Sequence, residues 1–468
     1  MTEALPNTRN PRTGRLDHFM PVHDATEVAA VAAQLRARQP AWAARTAPQR
    51  AEALLAWRER LLGQESALAE ALLADTGRWQ EGLLEIQACA ASLARWASQG
   101  PGLLAPSQQR ASIPFLTIEQ GMQPYPLVGV ISPWNFPLLL SLIDAIPALM
   151  AGCAVLVKPS EITPRFVEPL RASLAGLTSE LPIDFVTGAG ATGQALIDCV
   201  DTIAFTGSMA TGRKVAEQAA RRFIPAQLEL GGKDAALVFA DADLPRTARS
   251  LAWGSMVNAG QSCMSLERCY VQQPVFEAFA QLLTERVAAL GLNTSDPREG
   301  HIGPVIAAAQ ARLIQAQLDD AFAQGARALC GGRLVEHGGG IWCQPTVLVD
   351  VKPSMRVMRE ETFGPILPLQ AFADEAEALH LANDSEYGLS GAVFSADVER
   401  ARRVASALRA GAVSINDCSL TALVHEGAKQ SFGLSGLGGT RMGAQSIQRF
   451  YRQQVFLVSN GHPAPWWF

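Results

Sequence analysis

The chain has 468 residues, 48% of them hydrophobic and 18% charged, with 39 Gly spread along it. This excludes a small binding module, a disordered chain and a collagen-like repeat, and at roughly 150 residues per domain predicts two or three large α/β lobes. Lys plus Arg number 39 against 44 Asp plus Glu, a net charge of −5, which excludes the global positive field that recruits nucleic acid or anionic lipid.

Residues 1–15 are polar and carry prolines where an export signal needs an apolar stretch, so the expected compartment is the cytoplasm. From Asp24 to about Ser98 the chain is rich in Ala, Leu, Arg and Glu at helical spacing and predicts a set of amphipathic helices, interrupted at Pro40 and around residues 46–48. Residues 102–125 turn extended, as in Phe115-Leu116-Thr117-Ile118, and predict an arm or hairpin leaving the main body. From Leu127 to Leu230 β-branched runs at 128–131, 154–157, 184–186, 201–205 and 226–230 alternate with helical ones, which predicts βαβ units and a parallel sheet. Within them, residues 136–157 are apolar over a membrane-span length. Asp144 and Pro147 interrupt that run and Gly152 divides it, so it reads as one buried helix followed by a buried strand, with no membrane as partner. A second alternation from Ala235 to about Ser414 predicts another α/β lobe. Residues 449–459 predict a terminal strand that pairs with the arm or with another subunit. The eight Cys form no Cys-x-x-Cys pair, and no His stands at metal-ligand spacing, so neither a metal nor a disulfide framework is expected.

Two glycine loops follow predicted strands. Gly188-Ala189-Gly190-Ala191-Thr192-Gly193 fits the dinucleotide pattern G-x-G-x-x-G but lacks the acidic residue expected about 20 positions later. Phe205-Thr206-Gly207-Ser208-Met209-Ala210-Thr211-Gly212 turns straight into a helix, whose free N–H groups and dipole suit a phosphate; an ordinary Ser-capped helix gives the same string. Lys158-Pro159-Ser160-Glu161 ends a strand with a cation and a carboxylate, either a donor and acceptor for a sugar hydroxyl or a solvated loop.

Three strings carry candidate chemistry. Asn258-Ala259-Gly260-Gln261-Ser262-Cys263 sets a thiol after a turn and near Arg268, Glu229-Leu230-Gly231-Gly232-Lys233 ends a strand with a carboxylate, and Pro133-Trp134-Asn135-Phe136-Pro137 sets an amide before a helix. Together they supply a nucleophile, a base and an oxyanion donor.

These strings, with Glu361-Thr362-Phe363-Gly364-Pro365 and Ser435-Gly436-Leu437-Gly438, resemble in order and spacing the aldehyde dehydrogenase superfamily of the NAD(P)-dependent, hydrolytic, non-acylating type. The resemblance spans nearly the whole chain. It implies an α/β fold of three parts: a Rossmann-like cofactor domain (1–104 and 126–231), an α/β catalytic domain (232–431), and a β-arm for homodimer or homotetramer formation (105–125 and 445–461). It implies Cys263 as nucleophile, Glu229 as base, and Asn135 with the Cys263 N–H as oxyanion hole. The cofactor, NAD with NADP possible, would lie among Trp134, Lys158, Ser160, Glu161, Gly190, Phe205, Thr206, Gly207, Ser208, Thr211, Gly212, Leu230, Gly231, Glu361 and Phe363. Within that set Lys158 and Glu161 would hold the adenine ribose, and residues 207–212 would cover the pyrophosphate. The string from Lys429 to Gly436 departs from the Pro-Phe-Gly-Gly that many members place before this Lys, which predicts a rearranged loop at the substrate mouth.

Oxidation by this route runs through a Cys263 thiohemiacetal, loss of hydride to leave a thioester, and attack by water activated at Glu229. Members that acylate coenzyme A generally lack this Glu, so a free acid is expected; an acylating enzyme and a catalytically silent relative are the competing readings. Phe136, Leu139, Leu140 and Ile143 share one helix face at i, i+3, i+4 and i+7. With Val257 and Met264 they would line an aldehyde tunnel whose walls carry no Arg or Lys, favouring aromatic or medium-chain aldehydes over dicarboxylic semialdehydes.

Overall fold

The computed structural model describes residues 7–113, 115–177 and 180–461. Two largely parallel sheets carry the architecture, and apolar clusters against both faces of each keep their strands buried. The first sheet has six strands in the order Gly436–Leu437, Ala226–Glu229, Thr202–Thr206, Leu127–Ile131, Ala154–Lys158 and Ile183–Phe185, all parallel except the outermost Gly436–Leu437. The chain runs outward from Leu127–Ile131 in one direction, then returns to its other side at Thr202–Thr206. That makes a doubly wound sheet whose order reverses between these two strands, and the carboxyl edge there is where such sheets bind ligands. Residues 132–135 and 207–208 emerge at that edge. The strands expected at 128–131, 154–157, 184–186, 201–205 and 226–230 are all present, with ends moved by one residue.

The second sheet has seven strands, Arg327–Cys330, Thr346–Val349, Ile366–Phe372, Leu266–Gln272, Asp234–Val238, Ser390–Phe394 and Ala412–Ile415, parallel but for the first. A third, antiparallel sheet joins Ser107–Arg110, Leu116–Pro124 and Tyr451–Ser459. The terminal strand therefore pairs with the arm of its own chain, from Tyr451 opposite Pro124 to Ser459 opposite Leu116.

Helices Ala25–Ala43, Ala47–Leu62, Glu65–Thr76 and Gln80–Leu103 precede the arm. The first two start at reciprocal caps, Asp24 with Glu27 and Thr46 with Gln49. Pro40, expected as a break, lies inside the first helix. It falls in the last turn, where its missing N–H leaves only the Arg36 carbonyl without a helical donor.

The apolar run 136–157 also differs from expectation. It forms two short helices, Pro137–Leu142 and Ala145–Ala151, before the strand Ala154–Lys158. Asp144 sits at the break, 1% exposed, and accepts Arg441 Nη2 at 2.7 Å and Arg449 Nη2 at 2.8 Å. Burial pushes this carboxyl up, but the two guanidiniums outweigh it and hold the group below its ordinary value. Among the described residues no helix is long and apolar enough to cross a membrane.

Candidate active site

Cys263 follows a tight turn, Val257–Gly260, in which Asn258, Ala259 and Gly260 are all left-handed, at φ 58°, 53° and 67°. For Asn and Ala this conformation costs about 1–3 kcal/mol each and persists only where neighbours enforce it. Here Asn258 Nδ2 donates to the carbonyls of Asn135 (3.1 Å) and Gln261 (2.8 Å), and Gln261 Nε2 donates back to the Asn258 carbonyl (3.0 Å). Gly260 is required outright, since a Cβ there would lie 2.2 Å from the Gly364 carbonyl oxygen. Asn135 is 2% exposed; its Nδ2 donates to the Gln261 carbonyl at 3.0 Å, which holds the amide beside the nucleophile turn.

A cavity of about 200 Å³ brings together Trp134, Asn135, Leu140, Thr206, Gly207, Ser208, Leu230, Gly231, Cys263, Glu361 and Phe363, with Pro133, Gln310 and Leu313. Both sheets thus contribute to one site at the carboxyl edge of the first. Ser208 caps helix Met209–Arg222 by accepting from the Thr211 N–H at 3.3 Å. Gly212 lets that helix approach Leu230, as a Cβ would lie 2.5 Å from Leu230 Cδ2. Opposite, Glu361 accepts from the Gly232 N–H at 3.2 Å, and the Phe363 ring meets Trp134 edge-on with centroids 5.3 Å apart. Burial, then the charge of Glu267, pushes the Glu361 carboxyl up to about 8.

Several expected cofactor residues lie outside this cavity. Lys158 is buried and saturated: its Nζ donates to the carbonyls of Pro159 (2.8 Å) and Gly188 (2.7 Å) and reaches Glu161 at 3.4 Å. Glu161 and Thr211 are exposed, and Gly190 heads the exposed end of helix Gly190–Cys199. Ser160 Oγ accepts from the Ile162 N–H at 3.2 Å, and Phe205 packs in the core behind Gly207. Arg268 faces away from the thiol, donating to the carbonyls of Lys233 and Ala382.

Glu229 does not line the Cys263 cavity. It opens on an adjoining one of about 210 Å³, with Ser431 and residues 436–439, where Ser431 Oγ donates to its carboxylate at 3.5 Å and Lys429 Nζ stands 3.8 Å away. Among the described residues no hydrogen bond joins Glu229 to Cys263 side chain to side chain. Burial pushes the half-buried Cys263 thiol up to about 12; Lys429 is the strongest influence in the other direction, Glu361 and Glu229 raise the pKa further, and Arg441 lowers it. Removing a cation raises a thiol pKa and lowers the thiolate fraction at any given pH. Lys429→Met is therefore expected to slow alkylation of Cys263 by iodoacetamide several-fold between pH 7 and 9. Equal or faster alkylation of the variant contradicts this electrostatic role.

The candidate substrate residues are split. Phe136, Leu139, Leu140 and Ile143 are each half-buried while Pro137, Leu138, Ser141 and Leu142 between them are buried, so this face is not plain core. Only Leu140 lines the Cys263 cavity. Val257 belongs to a separate groove of about 610 Å³ with Trp253 and Met256. Met264 is half-buried, with its sulfur 3.1 Å from Thr421 Oγ1. Among the described residues no Arg or Lys lines the Cys263 cavity, whereas Arg78, Arg249 and Arg286 line the groove that holds Val257. The Arg78 guanidinium lies 5.3 Å over the Phe136 ring, donates to the Asn135 carbonyl at 2.8 Å and is offset by Glu85 at 3.9 Å. It enters from a segment remote in sequence, so helical spacing around Asn135 carried no sign of it.

A family model described as "Aldehyde dehydrogenase family" matches residues 3–456. A solved structure, "Putative Aldehyde Dehydrogenase PutA" from Anabaena variabilis, is similar at 49% identity and TM-score 0.97, covering 98% of this chain and 99% of that one. The 4,4'-diapolycopene aldehyde oxidase of a Methylomonas species is 40% identical over 87% of this chain and 77% of its own. The "Putative succinate-semialdehyde dehydrogenase [NADP(+)] 2" of Mycobacterium ulcerans is 35% identical over 96% and 87%.

Proposed function

The chain belongs to the aldehyde dehydrogenase family, whose members oxidise aldehydes with NAD(P), and from that premise we propose that it converts an apolar aldehyde to the free carboxylic acid through a covalent adduct on Cys263. The observation that carries this reading is the convergence of Cys263, Asn135, Glu361 and Phe363 on one cavity, with Glu229 in the next.

The Cys263 thiol passes its proton to Glu229, directly or through a water, and attacks the aldehyde carbon, forming the S–C bond, while the Asn135 Nδ2–H and the Cys263 N–H hold the oxygen as it becomes an alkoxide; Glu229 then releases that proton to solvent. The nicotinamide, when bound, supplies the hydride acceptor. Expulsion of hydride leaves a thioester on Cys263, with the oxyanion donors released from the alkoxide charge. A water then loses its proton to Glu229 and attacks the thioester, and the acid leaves as the S–C bond breaks. The side chain of Glu229 opens on its own cavity, with Ser431 beside it, which supports water as the acceptor of the acyl group.

The residues fit a dinucleotide. The capped helix end at Ser208 and the close approach at Gly207 and Gly212 suit a pyrophosphate, while Glu361 and Phe363 suit the nicotinamide ribose and ring. Exposed Glu161, which Lys158 reaches at 3.4 Å, keeps an oxygen to accept from a 2′-hydroxyl and repels a 2′-phosphate, and buried Lys158 has its donors engaged. This favours NAD over NADP.

The same reading assigns 1–104 with 126–231 to cofactor binding, 232–431 to catalysis, and 105–125 with 445–461 to assembly, in a cytoplasmic homodimer or homotetramer. Val455, Phe456 and Leu457 on the terminal strand are 53%, 45% and 64% exposed, and that strand is hydrogen-bonded along one edge only. Both features suit a partner subunit.

For the substrate, the apolar walls that Leu140, Leu230, Leu313 and Phe363 give the Cys263 cavity, with no Arg or Lys among the described residues of its lining, support aromatic or medium-chain aldehydes. We expect kcat/KM to fall from benzaldehyde or hexanal to succinic semialdehyde, and from NAD to NADP with each. A semialdehyde that wins, or NADP that equals NAD, refutes the corresponding assignment.

A further inference from the structure

Behind the cavity, three separate strings meet on one buried carboxylate. Glu267, four residues after the nucleophile in strand Leu266–Gln272, is 2% exposed. Its Oε2 accepts from the Thr362 N–H at 2.7 Å and its Oε1 from the Phe363 N–H at 2.8 Å. Lys233, at the end of the Glu229-Leu230-Gly231-Gly232-Lys233 string, is 1% exposed overall and donates from Nζ to Glu267 at 2.7 Å and to Thr362 Oγ1 at 2.9 Å. The Thr362 hydroxyl in turn donates to Gln317 Oε1 at 2.7 Å.

The backbone these bonds hold is not one it would choose. Phe363 has φ +51°, a left-handed conformation that an aromatic residue rarely adopts. Consecutive N–H groups converging on one carboxylate are the restraint that keeps it there, since releasing either would leave a buried charge short of a donor. The turn carries Glu361 on one side of Thr362 and Phe363 on the other, both of which line the cavity.

We propose that Glu267 is a positioning residue for hydride transfer, holding residues 361–363 in the backbone shape that sets Glu361 and the Phe363 ring against the nicotinamide half of the cofactor. This rests on the reading that Glu361 and Phe363 flank that half. Lys233 neutralises the carboxylate, so the same pair links the turn after the base, the strand after the nucleophile and the wall of the cofactor site. Small displacements of reacting groups cost rate steeply, about 10²-fold for 1 Å, so a clip remote from the reacting atoms acts on the hydride step.

The test is Glu267→Asp, which keeps the charge opposite Lys233 but is shorter by one methylene and cannot reach both N–H groups. The expected result is hydride transfer slowed about 10²-fold in single turnover, with a primary deuterium isotope effect on kcat, measured with the C1-deuterated aldehyde, larger in the variant than in wild type. Binding of ADP-ribose and alkylation of Cys263 by the folded variant should stay near wild type. Where the aspartate variant does not fold, the charge-neutral double variant Lys233→Met with Glu267→Gln serves, because it removes both charges and leaves one acceptor for the two N–H groups; the same rise in isotope effect is expected. Phe363→Ala separates the proposal from the reading beneath it. If Phe363→Ala leaves hydride transfer unchanged, the placement of the nicotinamide is wrong. If Phe363→Ala slows hydride transfer but a folded Glu267 variant transfers at the wild-type rate with an unchanged isotope effect, the positioning role is overturned.

Discussion

Replacing Cys263 by alanine is expected to lower aldehyde oxidation by about 10⁴-fold or more, while NAD still binds with its wild-type Kd. The two outcomes separate because different elements produce them. In the proposed mechanism the thiol makes the only covalent bond to the aldehyde, whereas the dinucleotide contacts are assigned to residues 207–212 and to the 361–363 turn. No other thiol is placed to substitute. None of the other seven Cys lines the cavity that holds Cys263. Steady-state turnover and a fluorescence titration of NAD binding on the same preparation check both halves. Retention of more than about a hundredth of the activity sinks the assignment of Cys263 as nucleophile, since a covalent step cannot be bypassed at so small a cost.

Glu229→Gln is expected to lower kcat by about 10²–10⁴-fold while leaving a rapid first turnover. The amide cannot take the proton of the attacking water, so the thioester accumulates after hydride has left. The oxyanion donors and the cofactor wall are untouched by this change. Stopped-flow absorbance should show a burst of NADH equal to the active sites, then a slow phase. A variant with normal steady turnover would remove Glu229 from the deacylation step. Recovery of turnover on adding coenzyme A, with acyl-CoA as product, would instead assign the acyl group to a thiol acceptor.

The first sheet was legible in sequence because parallel strands covered on both faces must be short unbroken apolar runs, and 128–131, 154–157 and 203–205 are such runs. The strings that carry Cys263, Asn135 and Glu229 stand out because each lies at a strand end or tight turn that needs particular residues, as Gly260 does against Gly364. What escaped depended on distant partners. The helix break at Asp144 is set by Arg441 and Arg449, roughly three hundred residues on, and nothing near Asp144 announces them. Arg78 reaches Phe136 from another segment, and nothing near Phe136 announces it. Val257 stands six residues before the nucleophile yet turns to another groove, because the left-handed residues 258–260 reverse the chain between them. Gln310 and Leu313 reach the cavity from a helix with no motif. Lys429 and Ser431 reach Glu229 from the loop where the family pattern is altered, and that departure was the one available signal that the base has unusual neighbours.

The central claim is that the acyl group passes through a thioester on Cys263 and leaves to water activated by Glu229. Mass spectrometry of the Glu229→Gln variant, quenched during the slow phase with benzaldehyde and NAD, tests it most directly. The account predicts a benzoyl mass on the peptide containing Cys263, dependent on NAD and equal in amount to the NADH burst. A benzoyl mass on any other Cys peptide, or an NADH burst with no acyl mass on Cys263, would contradict it.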